Sequence, residues 1–123
     1  MRPAYLNQAA AQARGLLTRR LPGARATTVR VHVRRAERIA EAIHRRWRIG
    51  VYQWQVKHVR WYLEICTDRF SASTRYRHWL TTRLLVIALK KDPHWLRHLE
   101  GPWLRPTGAA GELKAGRPVK RPS

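Results

Sequence analysis

The stretch TTVRVHVRRAERIAEAIHRRW, residues 27–47, constrains this chain more than any other part of it. Val29, Val33, Ala36, Ala40, Ile43 and Trp47 recur at spacings of three and four, which gathers them into one stripe along a helix. Arg30, Arg34, Arg35, Arg38, Arg45 and Arg46 fall mostly off the stripe and read as a solvated face. Glu37 and Glu41 stand one turn from some of them as pairing partners. Thr27 or Thr28 can cap the first free N–H groups, and Gly50 is expected to end the element. A helix with one apolar stripe must lay that stripe against other elements, so the rest of the chain has to supply them.

It supplies more helices. Residues 4–20, AYLNQAAAQARGLLTRR, are Ala-rich and favour a helix, weakened at Gly15 and broken at Leu21, Pro22 and Gly23. Residues 53–66, QWQVKHVRWYLEIC, put Trp54, Val59, Tyr62, Leu63 and Cys66 on a common face. Residues 71–89, SASTRYRHWLTTRLLVIAL, begin with cap-forming hydroxyl residues and end in an apolar run. Residues 93–101 read as a short fifth element with Trp95 and Leu99 inward, and Trp103 and Leu104 can fold back on the domain. Beyond them Pro and Gly dominate and apolar periodicity stops. The expected fold class is therefore all-α, a small four- to five-helix bundle with a flexible basic C-terminal tail. The expected division is a basic N-terminal helix and linker over 1–25, a helical domain over 26–104, and a Pro/Gly/basic tail over 105–123.

Charge then narrows the function. The 123 residues hold 26 Lys and Arg against 7 Asp and Glu, a net charge of +19, with 44 % apolar residues to build a core. Self-repulsion on this scale opposes a compact monomer unless a polyanion offsets it. Most of the cations are arginine, whose planar fork matches phosphate oxygens and base edges. Nucleic acid is the first expectation and an anionic membrane surface the second. The longest apolar run, Leu84 to Leu89, is too short to span a bilayer, so no membrane span is expected, and with nucleic acid the preferred polyanion no membrane partner is expected. A lone cysteine, Cys66, excludes an internal disulfide and suits a reducing compartment. The acid-free, Arg-rich first 36 residues resemble a transit peptide in charge but contain no serine.

The helix over 71–89 is cationic at its start and apolar at its end. We expect its second half to be enclosed by other helices and its first half to project beyond the core. There the free N–H groups of the helix N-terminus, with Ser73, Thr74, Arg75 and Arg77, are expected to meet phosphate.

The order AERIAEAIHRRW, WQVKHVRWYLE, SASTRYRHWLTTRLLVIAL resembles the N-terminal core-binding, SAM-like domain of tyrosine recombinases, the phage-type integrases. The resemblance covers about residues 26–100. It implies a helical bundle that clamps duplex DNA, with two helices in the major groove. Matched position by position, it implies DNA contacts from Lys57 and His58, from Ser73, Thr74 and Arg75 at the helix start, and from Arg77, His78 and Arg83. The tail, through Arg117, Lys120 and Arg121, is a secondary DNA-binding segment. It carries the Gly-Arg-Pro core of an AT-hook, with Ala115 where such hooks have Arg. The six tryptophans and the long basic segment before residue 26 depart from the family's common pattern. The implied setting is a bacterial cytoplasm, nucleoid-associated, with double-stranded DNA as partner. A full-length recombinase or another mobile-element protein is a further partner.

Catalysis is not expected. HWLRH, residues 94–98, matches a string of the recombinase catalytic domain, but all four tyrosines precede His94 and no nucleophilic Tyr follows. No cofactor is expected. His94 and His98 stand one turn apart without a set of further ligands. The tryptophans read mostly as core, with Trp61 and Trp79 less settled between core and base stacking. RNA or ribosome binding, and an interaction module for an acidic protein, are the rival readings.

Overall fold

The computed structural model describes residues 2–20 and 26–105. Helix α1 spans Arg2–Arg20, α2 Ala26–Trp47, α3 Val56–Trp61, α4 Ala72–Ala88 and α5 Asp92–Trp95. A 3₁₀ turn over Val51–Gln53 joins α2 to α3, a π-turn over Tyr62–Cys66 continues α3, and 3₁₀ turns over Leu96–His98 and Pro102–Leu104 follow α5. No strand occurs among the described residues, so the molecule is a small all-α bundle. None of these helices is long and apolar enough to cross a membrane.

The α2 stripe is the spine of the core. Ala36, Ile39, Ala40 and Ile43 are fully buried, while Val33 and Trp47 extend the stripe at half burial. Opposite them, Ala9, Ala13, Leu16 and Leu17 of α1 are buried. Small alanines on both helices let the two backbones come close, and α1 packs chiefly on α2. Each fully buried Leu or Ile contributes about 1.5–3 kcal/mol by leaving water. Helix α1 is thus part of the core, and the expected boundary at residue 25 does not separate it from the domain. Glu37 pairs across the two helices with Arg14, at 2.5 Å, instead of along α2.

Gly50 does not end α2. The helix stops at Trp47, and Arg48 takes the left-handed conformation, φ 61°, with its N–H on the His44 carbonyl at 2.7 Å. Lys90 does the same after α4, φ 63°. A cation at this place meets the negative end of the helix dipole, which offsets part of the backbone strain.

The third helix starts later than its apolar pattern predicts. Trp54 and Gln55 are extended, and α3 begins only at Val56. Trp54 is still buried, but from the connection and not from a helix face. The backbone N–H of Gln55 donates to Nδ1 of His58 at 2.9 Å, which closes the first turn. After Trp61 the helix widens into the π-turn and ends at Thr67.

Helix α4 departs most from expectation. Ser71 caps it, accepting from the Thr74 N–H at 3.2 Å. Burial begins in its second turn with His78 and Trp79, and Thr81 and Thr82 are as deep as Leu85 and Val86. Its first half does not project beyond the core, and its second half is not enclosed all round, since Ile87 is 38 % exposed. At the C-terminal end Leu99 and Trp103 are buried, as the inward reading expects, and the Trp103 indole donates to the Leu99 carbonyl at 2.6 Å. Trp95 is half-buried.

Candidate nucleic-acid interface

Seven acidic residues cannot neutralise 26 cations, so the question is where the surplus collects. Among the described residues two ion pairs form, Arg14–Glu37 and Arg60–Glu64. Neither touches the seam between the middle of α2 and the first half of α4. There His32 and Arg35 of α2 meet Thr81 of α4. The His32 Nδ1 stands 2.8 Å from Thr81 Oγ1, and the Arg35 guanidinium donates to the same oxygen at 3.4 Å. The Thr81 hydroxyl in turn reaches back to the Arg77 carbonyl at 3.4 Å.

Three guanidinium groups share this seam. Burial lowers the Arg35 pKa first, and the positive charges of Arg77 and then Arg38 lower it further. Arginine nonetheless stays protonated at any physiological pH. The same field reaches the neighbouring imidazoles. His78 is pushed down to about 4 by burial and then by Arg35 and Arg38, and His32 is lowered by burial and then by Arg35. Like charges held together at the surface without a carboxylate between them leave an unspent positive potential. Arg30 and Arg34 are exposed on α2, and with Arg38 they repeat every four residues along one side of it.

The expected contact residues divide into two groups. Arg77 is exposed and belongs to this cluster, and Ser73, one turn earlier on α4, is exposed beside it. Lys57 and Arg83 are exposed too, but neither bonds to the cluster. Arg83 lies six positions after Arg77, about 120° round the helix, and faces elsewhere.

The other expected contacts are turned into the fold. Arg75 donates through Nε to Thr67 Oγ1 at 2.9 Å and through Nη2 to the Leu63 carbonyl at 3.0 Å and that of Glu64 at 3.4 Å. Its guanidinium also lies over the Trp103 ring, 5.5 Å from the centroid. It caps the carbonyls that the π-turn leaves loose and is not free to reach out. Thr74 is engaged by Ser71, whose hydroxyl lies 3.0 Å from its own. His78 is buried, with Nδ1 2.9 Å from the Tyr62 hydroxyl. Burial pushes the Tyr62 phenol well above its ordinary range, so the pair is neutral. His58 is buried at the start of α3 against the edge of Trp47, and burial and Lys57 lower its pKa. The resemblance's basic pair therefore reduces to Lys57, and its helix start to Ser73 and Arg77. Arg117, Lys120 and Arg121, with the AT-hook core, lie outside the described residues.

The sequence reads Arg35 and Arg38 as an ordinary solvated face, and Arg38 is exposed as that reading expects. Arg35 is half-buried, and the signal that distinguishes it is its place at the stripe's flank, beside the buried Ala36. The tryptophans resolve mostly as core. Trp54, Trp79 and Trp103 are buried, and Trp47 and Trp61 pack edge to face at 5.0 Å. Among the described residues no group of His, Cys, Asp and Glu is placed to hold a metal ion. No family model, curated protein or solved structure matches the chain.

Proposed function

We propose that this protein binds duplex DNA, and that the α2–α4 seam is the face that meets the phosphate backbone. The observation that carries the reading is the clustering of Arg35, Arg38 and Arg77 with no carboxylate partner among the described residues. Holding three guanidinium groups together costs folding energy, and a polyanion recovers it. Arg30 and Arg34 extend the same positive strip along α2, and Ser73 adds an exposed hydroxyl donor on α4. The contacts are to phosphate, so they set affinity and register more than base choice. In the sense of the resemblance to integrase core-binding domains, the chain acts as a DNA-gripping module in partnership with a separate catalytic protein of a mobile element. The role is binding and not catalysis.

The test is binding to a duplex of about 30 base pairs across a range of salt. Log K falls against log salt with a slope of about −0.9 for each phosphate neutralised. The triple variant Arg35→Gln, Arg38→Gln, Arg77→Gln should flatten the slope by about two to three units and leave the helical circular dichroism intact. An unchanged slope removes the seam from the interface. Structured RNA competing as well as DNA moves the partner to RNA.

A further inference from the structure

An aromatic ring stands open to solvent at the edge of the α2–α4 seam. Phe70 is 40 % exposed, and it leans on the buried His78 with the ring centroids 4.9 Å apart and the planes 41° from parallel. His78 follows Arg77 in the chain and stands one turn before Thr81, the residue to which Arg35 donates. Phe70 is therefore placed beside the cation cluster and not at a separate end of the molecule.

The support under this ring is firm. The Tyr62 hydroxyl, 2.9 Å from Nδ1 of His78, fixes the imidazole, and burial, then Arg35 and Arg38, keep it neutral. The Phe70 backbone is anchored as well. Its N–H donates to the Thr67 carbonyl at 3.1 Å. Thr67 is fully buried, donates its hydroxyl to the Leu63 carbonyl and accepts from Arg75. A phenyl ring on such a base is preset in one place without being fully buried, and a preset group loses little freedom on binding. Asp68 and Arg69, just before it, are exposed and cancel in charge. The charge that selects a partner thus comes from the seam.

A flat apolar ring beside three guanidinium groups matches the two halves of a nucleotide, a base to stack and a phosphate to pair. The extent of exposure decides how the ring meets a base. A wedge driven between two base pairs needs both faces of its side chain free, and most of Phe70 is covered. It has one side to give, and one side stacks one base. Within a duplex a base offers its face only where it is unpaired. We propose that Phe70 is a stacking platform for a single unpaired base, so that the protein prefers duplex DNA interrupted by an unpaired nucleotide. The seam grips the flanking phosphates, so the platform rests on the duplex reading given above.

The experiment compares three duplexes of one sequence by fluorescence anisotropy with the full chain at fixed salt. Each is closed at both ends by a polyether linker, so that no terminal base is offered. One is intact, one carries a central bulged nucleotide, and one carries an abasic residue in that bulge. The native chain should bind the bulged duplex at least about fivefold more tightly than either of the others, the lower end of what stacking one base on an aromatic ring is worth. Phe70→Leu keeps an apolar side chain on His78 and has no flat face. It should erase the preference and leave the affinity for intact duplex within about twofold. Phe70→Tyr keeps the face and should keep the preference. Equal binding of the three probes, an abasic bulge bound as well as the full one, or a preference that survives in Phe70→Leu overturns the platform; with intact duplex still bound, the seam reading stands. No binding to any of the three overturns both.

Discussion

Arg75 and Arg77 sit two residues apart, and replacing them separately should produce opposite results. Removing the Arg75 guanidinium takes a donor from three oxygens: Thr67 Oγ1 at 2.9 Å, the Leu63 carbonyl at 3.0 Å, which keeps the Thr67 hydroxyl, and the Glu64 carbonyl at 3.4 Å. The last is too long to count for much. Hydrogen bonds to a charged group contribute about 1.5–3 kcal/mol each, and half-burial places these two at the lower end, about 3 kcal/mol together. The Trp103 ring, 5.5 Å away, adds about 0.5–1 kcal/mol, and water entering at the vacated site returns part of the loss. Arg75→Ala should therefore destabilise the fold by about 2–4 kcal/mol, lowering Tm by at least about 8 °C for a domain of this size. Arg75→Lys should recover less than half, because a point charge cannot bridge Thr67 and Leu63 as a planar fork does. Urea unfolding followed by tryptophan fluorescence measures both. Arg77→Ala should leave the unfolding midpoint within about 0.5 kcal/mol and weaken duplex binding. A loss below about 0.5 kcal/mol for Arg75→Ala, or weakened DNA binding without loss of stability, refutes the capping role.

Two further outcomes follow from the core. Acid should destabilise the protein through His78, held at about 4 in the fold against an ordinary 6.5. A depressed imidazole means the unfolded chain binds the proton more readily, so its contribution is whole above pH 6.5 and is lost as pH falls toward 4. That amounts to about 2–4 kcal/mol, visible as a falling Tm over that window and flattened in His78→Gln. Gly101→Ala should destabilise by about 1–3 kcal/mol, since a Cβ there lies 2.5 Å from the ring of the fully buried Trp103; thermal unfolding reads it, and a neutral result means the ring can move.

What could be read beforehand depended on whether a residue's fate is decided locally. The α2 stripe is a local period, and Ala36, Ala40 and Ile43 are buried as that period requires; Ile39, three after Ala36 and four before Ile43, is buried on the same stripe. The α3 start is decided by one bond, Gln55 N–H to His58, and no Gly or Pro marks it. The π-turn has no sequence signature here, because what stabilises it, Thr67 and Arg75, lies beyond its own end. The division of α4 was nevertheless present in its spacing. Residues 75 and 77 are about 200° apart on a helix, so both could not face the same partner. Arg75, His78, Thr82 and Leu85 step by three and four, and the last three are buried. Reading Arg75 by its charge alone hid its membership of that inward row.

The same distinction explains how so basic a chain holds a core. Arg60 and Arg75 flank Trp103, with centroid distances of 5.3 and 5.5 Å, and spend their donors on carbonyls of His98, Glu100, Leu63 and Glu64. Carbonyls and an aromatic face attract cations without adding negative charge, so these arginines tie the C-terminal turns to α3 and α4 although acids are scarce. Among the described residues no acid pairs with Arg35, Arg38 or Arg77, so their mutual repulsion persists in the folded state. Any ligand that neutralises them in the fold and not in the unfolded chain must raise stability, by about 2.7 kcal/mol at one hundred times its Kd. Duplex DNA should therefore raise Tm in the native chain and raise it much less in the triple glutamine variant, which starts with the repulsion already removed. An equal rise in both would place the stabilising contacts on another face of the molecule.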